Sequence, residues 1–187
     1  QLDEHWPSEG KLVKKLLDSV GEEKTSEIFM AHRRSYVANS DLVKMKEAGI
    51  RKIRVPITWA VFADALAPLN NASYGQHCPE HDAVVVPDPF YKDDSALVTV
   101  PRAWFKQFLR KVGSHGMQVL LDVHAFPGGS SQGTYNGIWP LDPMFWTDSS
   151  KNSANGVEKP LTEVGNMIVD ALINWVEELP AEEFRAV

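Results

Sequence analysis

Twice along this chain of 187 residues, a helical apolar pattern is closed by a glycine and followed at once by a β-branched, apolar run. Ser40 and Asp41 open the first pattern, which continues through Leu42, Val43 and Met45, ends at Gly49 and gives way to Ile50 to Ile57. The second runs from about Arg102 to Ser114 with Trp104, Phe105, Phe108, Leu109 and Val112 on one face; Gly116 ends its turn and Met117 to His124 follows. Ser and Asp side chains accept from the first free N–H groups of a helix, and glycine after the last turn adopts a left-handed backbone that costs other residues energy. Helix-glycine-strand units in series produce parallel strands joined by right-handed crossovers, so the fold class is α/β. Ile50 to Ile57 alternates, with Arg54 and Pro56 near its exit. Met117 to His124 is almost continuously apolar, the pattern of a strand covered on both faces.

The remainder is organised around these units. From Gly10 to Tyr36, apolar residues at helical spacing (Leu12, Leu16, Leu17, Ile28, Phe29) are interrupted by Gly21, which predicts two short helices. Ala60 to Val100 is proline-rich, with Asn70-Asn71, Tyr74-Gly75 and a short apolar run from Ala83 to Val86, and reads as a long insertion. Ala125 to Ser150 is a second long loop, rich in Gly, Ser, Trp and Pro. A last helix is expected from near Pro160 through Ile168, Leu172 and Trp175 to before Pro180, and Phe184 to Val187 has the look of a strand beginning. Both long loops leave the C-terminal ends of strands, which a doubly wound sheet and a barrel have in common; periodicity leaves the two open.

Composition narrows the partners. Hydrophobic residues at 43% and charged ones at 24% are those of an ordinary globular domain with a sizeable core. The formal charge of −6 is spread in short mixed runs such as Lys44-Met45-Lys46-Glu47, which offers no basic stripe to nucleic acid or to an anionic membrane. No run approaches the ~20 apolar residues of a bilayer span. The lone Cys78 forms no intrachain framework, and Asn71-Ala72-Ser73 is a glycosylation sequon. His77-Cys78-Pro79-Glu80-His81 gathers possible metal donors without a second ligand pair, so an exposed loop cluster and no metal site is expected. No Gly-rich phosphate loop, Gly-x-Ser-x-Gly elbow or His-Glu-x-x-His sequence is present.

Three segments, in their order and spacing, resemble the exo-β-1,3-glucanase branch of glycoside hydrolase family 5. They are His32-Arg33-Arg34-Ser35-Tyr36 with Ala48 to Trp59; His115 to Gly128, containing Leu121-Asp122-Val123-His124-Ala125-Phe126-Pro127-Gly128; and Gly133-Thr134-Tyr135-Asn136-Gly137. The first is similar to the family's second strand, the second to its third strand and exit, the third to a loop at the sugar pocket. The resemblance implies a partial (β/α)8 barrel, from the end of strand 1 to the start of strand 4. It implies one incomplete catalytic domain over 1–187, carrying an insertion at about 60–100.

The same resemblance assigns roles. Arg54 is expected to hydrogen-bond the nucleophile and keep it ionised, since a fixed guanidinium depresses a nearby carboxylate. His124 is expected to donate to a substrate hydroxyl. Glu4 and Asn136 match family contacts to the sugar, Tyr135 stands where the family has an aspartate, and Trp59 offers a face for sugar C–H groups; Trp139, Phe145 and Trp146 are further aromatic candidates. By strand alternation, Asp122 is expected to face away from His124 or into a different layer of the barrel, in a structural hydrogen-bonding role. Outside this context, Arg54 reads as a strand charge or ion pair, His124 as a satisfied structural residue and the aromatics as ordinary packing.

The implied activity is retaining release of glucose from β-1,3-glucans without a cofactor, outside the cell or in the cell wall. Retaining hydrolysis needs two carboxyl groups held ~5 Å apart across the scissile bond. The family's acid/base glutamate, in Asn-Glu-Pro, and its nucleophile glutamate are absent from this sequence. The expectation is therefore a supporting shell with no catalytic residue of its own, whose partners are the glucan and the missing C-terminal half of the barrel. The rival readings are a non-catalytic carbohydrate-binding barrel relative and an unrelated doubly wound nucleotide domain.

Overall fold

The computed structural model describes residues 8–69, 80–91, 93–133, 137–146 and 161–180. The chain is α/β. Helix α1 (Glu9–Tyr36) starts at Ser8, whose Oγ accepts from the Lys11 N–H, and kinks at Gly21, where φ is 81°. The two helices expected across Gly21 are present: the backbone at Gly21 is non-helical, and the helical segments on either side of it meet at the kink. Helix α2 (Asn39–Glu47) is steadied by Asp41, whose carboxylate accepts from the Ala38 N–H at 2.9 Å, and Gly49 leaves it at φ 83°.

Strand β1 (Lys52–Thr58) follows, then a 3-10 helix (Trp59–Leu69). Strands β2 (Val85–Pro87) and β3 (Ala96–Val98) pair antiparallel. Helix α3 (Arg102–Ser114) leads into strand β4 (Gln118–Ala125), and α4 (Leu161–Glu177) is the last helix described. The expected strand at Phe184 to Val187, the sequon and Cys78 lie outside the described residues.

β1 and β4 pair in parallel, with Arg54 opposite Leu120 and Pro56 opposite Asp122. One face of this pair is the helix side: Ile57 and Val119 are buried there, and Ile53, Val55, Leu121 and Val123 pack against the same core. Phe105, Leu109 and Val112 of α3 supply its centre, and Trp175 of α4 stacks on Phe105 at 5.7 Å. The other face is open. Lys52, Arg54 and Pro56 are exposed there, and Leu120 is 49% exposed. The double cover expected for β4 is therefore not what its described surroundings provide, because Gln118, Asp122 and His124 alternate with its apolar residues and share the polar face of β1.

A second correction concerns Ala60 to Val100. Ala60, Val61, Phe62, Ala63 and Leu66 are all buried to 1% or less, under α4, so the first turns of the expected insertion belong to the core. The hairpin β2–β3 packs on α1 around Val13 and Val98. Arg33 anchors that contact by donating to the carbonyls of Val98 and Thr99, each at 2.8 Å. Among the described residues, no helix is long and apolar enough to cross a membrane.

Candidate functional site

Three polar side chains meet on the open face: Asp122 and His124 from the C-terminal half of β4, and Arg54 from the first half of β1 rather than near its exit as expected. Arg54 Nε donates to Asp122 Oδ2 at 2.9 Å, Arg54 Nη2 donates to the same oxygen, and Nη2 lies 3.1 Å from His124 Nδ1. His124 Nδ1 is itself 2.9 Å from Asp122 Oδ2. Parallel pairing makes this possible: Arg54 reaches diagonally from its place beside Leu120 toward the strand ends, where Asp122 and His124 emerge. Asp122 and His124 are two positions apart on one strand. A period of two puts them on the same face, which corrects the expectation that they diverge.

The electrostatics follow from this contact set. Against a desolvation that raises it, the Asp122 carboxyl is held below its ordinary value by hydrogen bonds from Arg54 and His124 and by their charge. The guanidinium is fixed by one carboxylate while its Nη1 hydrogens remain on the outer side of the fork. The cluster is wet: the Arg54 side chain is 56% exposed, His124 38% and Asp122 25%. It can present N–H donors and an imidazole to a neutral polar ligand, and it can hold a further carboxylate beside Arg54. It supplies no pair of carboxylates across a ligand.

Arg54 also borders a groove of about 430 Å³ along β1, walled by His32 and Tyr36 of α1 and by Trp104 and Phe108 of α3. Glu9 also lines this groove. Burial raises its carboxyl, with Arg33 and His32 pulling the other way. A larger cleft, of about 660 Å³ between α1 and residues 81–84, contains neither Arg54 nor His124.

The other expected site residues fare differently. Trp59 is 1% exposed and part of the core, so packing takes up the face expected to be offered to a sugar; the 3-10 helix turns it inward as β1 ends. Glu4, Tyr135 and Asn136 lie outside the described residues. Of the donors expected as an exposed loop cluster, His77 and Cys78 are also outside them, and Glu80 is committed to Arg102 and Lys106 at 3.3 and 3.4 Å.

Two residues were not singled out by sequence reasoning. Asp88 is 1% exposed; its Oδ1 accepts from the N–H groups of Phe90 and Tyr91, and its Oδ2 from Gly128 N–H at 2.9 Å, which ties the β2–β3 connection to the loop leaving β4. Arg102 pairs with both oxygens of Asp64 at 2.8 Å, joining α3 to the 3-10 helix. An aspartate between two prolines, Pro87 and Pro89, is a turn signal, but nothing local says which backbone its second oxygen will meet.

Neither family models nor curated proteins match the chain.

Proposed function

We propose that the chain is the N-terminal part of a glycoside hydrolase barrel acting on β-1,3-glucans, contributing the Arg54–Asp122–His124 side of its sugar pocket. The single observation that carries this reading is the meeting of Arg54 and His124 on one open face, from neighbouring parallel strands. In a (β/α)8 barrel, the active site is built at the C-terminal end of the strands, the end where His124 lies, and the face turned away from the helices lines the barrel. An α/β layer with helices on one face and charged residues on the other is the arrangement such a segment needs.

On this reading, Asp122 holds the guanidinium and the imidazole in register, His124 contacts a sugar hydroxyl, and Arg54 stands ready for a second carboxylate, the nucleophile. That nucleophile and the acid/base belong to motifs, Asn-Glu-Pro among them, that these residues do not contain. Residual positioning without carboxylates gives no cleavage, because both proton transfer and covalent capture need them. The partners are a β-glucan and the remainder of the barrel, and the setting is extracellular or the cell wall.

The test is calorimetric titration of the chain with laminari-oligosaccharides, alongside an assay for released glucose. The reading expects saturable binding, weakened about tenfold by Arg54→Ala and by His124→Ala, and no glucose release. Hydrolysis by these residues alone, or binding indifferent to both substitutions, contradicts it.

A further inference from the structure

Ser26 is 8% exposed, and its Oγ meets no hydrogen-bond partner. Other hydroxyls of α1 behave differently: Ser19 Oγ donates to the Lys15 carbonyl and Thr25 Oγ1 to the Gly21 carbonyl, each at 2.7 Å. The equivalent bond from Ser26 to Glu22 is not made, and a buried hydroxyl left without a partner costs stability. Ser26 lines the cleft of about 660 Å³ between α1 and residues 81–84, and a hydroxyl that turns about a single bond has that cleft to turn into.

The cleft carries opposite charges towards the two ends of its helical wall. Glu22 and Glu23 stand in the first turn beyond the Gly21 kink, where a helix favours acids, and Arg34 stands in the last turn, where it favours a base. Asp82 adds a carboxylate from the facing wall. Among the described residues, none of Glu22, Glu23, Asp82 and Arg34 has an ion-pair partner, whereas Glu27 is taken by Lys24 at 2.7 Å. Met30, Val84 and Pro101 make the rest of the lining apolar. The helix dipole accounts for where the charges of α1 stand, but not for a buried hydroxyl held without a partner between them.

We propose that this cleft binds a small zwitterion with an aliphatic stem, its ammonium held by Glu22, Glu23 and Ser26 Oγ and its carboxylate by Arg34. A free ω-amino acid and the C-terminal lysine of a peptide share that chemistry. An ammonium has three N–H groups to place, and two carboxylates and a hydroxyl supply three acceptors; a guanidinium matches a carboxylate. Ser26 and Arg34 are about 12 Å apart along the helix axis. Helical side chains lean towards the N-terminus, so Arg34 reaches back towards Met30 and leaves a span of a few methylenes for the stem to cover. This site is separate from the sugar pocket and does not rest on the glucan reading.

The experiment follows the backbone amide resonances of the chain by NMR during titration with 6-aminohexanoate, Nα-acetyl-lysine and hexylamine. The amides of Glu23, Ser26 and Val84 are expected to shift along one saturating curve with the two zwitterions. Hexylamine, which lacks the carboxylate, is expected to bind about threefold more weakly. Arg34→Ala is expected to bring 6-aminohexanoate down to the level of hexylamine and to leave hexylamine unchanged. Ser26→Ala is expected to weaken both amines about tenfold while the melting temperature holds or rises, because alanine suits a helix and removes the unpaired hydroxyl. That split separates a ligand contact from a structural role. Glu22→Gln with Glu23→Gln is expected to weaken binding about fivefold. Glu177→Gln with Glu178→Gln, an equal change of charge at exposed positions outside the cleft lining, is expected to leave binding unchanged. Equal weakening by the two double substitutions reduces the effect to general charge attraction and overturns the site. An affinity indifferent to Ser26→Ala, or the absence of saturable shifts with both zwitterions, overturns it as well. Saturation by Nα-acetyl-lysine alone supports the site and assigns it to a peptide terminus; saturation by 6-aminohexanoate alone assigns it to the free amino acid.

Discussion

Asp88 makes the stability of this chain depend on pH in a direction opposite to that of most carboxylates. Burial pushes its carboxyl up to about 6, against the lowering effect of the N–H groups of Gly128, Phe90 and Tyr91. The folded chain therefore binds this proton more tightly than an unfolded chain with the ordinary value of 3.8. Its contribution to stability is full below pH 3.8 and is lost as pH rises through about 6. At 1.36 kcal/mol per pH unit, the gap corresponds to ~3 kcal/mol. Asp88→Asn is nearly isosteric and does not titrate, so the other ionisable groups cancel when the two proteins are compared. Urea unfolding of both, at several values from about pH 7.5 down to about pH 3.5, measures the difference directly. The parent is expected to gain ~3 kcal/mol on the variant across that range, most of it between about pH 6.5 and about pH 4. A difference that stays flat, or that moves in favour of asparagine on acidification, refutes the claim that burial dominates at this site.

Other perturbations read other parts of the structure. A Cβ at Gly10 would come within 2.1 Å of Ser95 Oγ and 2.4 Å of the Gly137 carbonyl, so Gly10→Ala is expected to destabilise by about 1–3 kcal/mol in chemical unfolding. Gly49 sits at φ 83° with open space around it, and Gly49→Ala is expected to cost about 1 kcal/mol, from backbone strain alone. Phe105→Ala removes the ring on which Trp175 stacks and is expected to cost about 3–5 kcal/mol. Arg54→Ala breaks an exposed ion pair; it is expected to change stability by less than about 1 kcal/mol in the same melts while weakening glucan binding.

How much of this was legible in the sequence depends on the range of the forces involved. Gly49 and Gly116 announced the strands after them because a helix end and a left-handed glycine are local events, and the described bounds of α3 match the apolar face from Trp104 to Val112. The meeting of Arg54 with His124 was legible only through the motif, since it depends on a parallel pairing between residues far apart in the chain. Trp59 and the turn after it were misread as a loop with an available ring. Pro68 and the proline-rich stretch beyond it masked an apolar run whose burial is decided by α4, a partner distant in sequence. Asp122 was misplaced by a misapplied strand period, and Asp88 escaped notice because its second oxygen meets the backbone of Gly128 across the fold.

The account turns on Arg54 and His124 contacting one and the same sugar. The most direct measurement follows the side-chain nitrogen resonances of these two residues by NMR as laminaritriose is added. The account predicts that Arg54 and His124 signals shift together along one binding curve, while those of Arg102, paired with Asp64 at the start of α3, stay in place. Oligosaccharide binding that leaves Arg54 and His124 unmoved, or moves them at different concentrations, would contradict it.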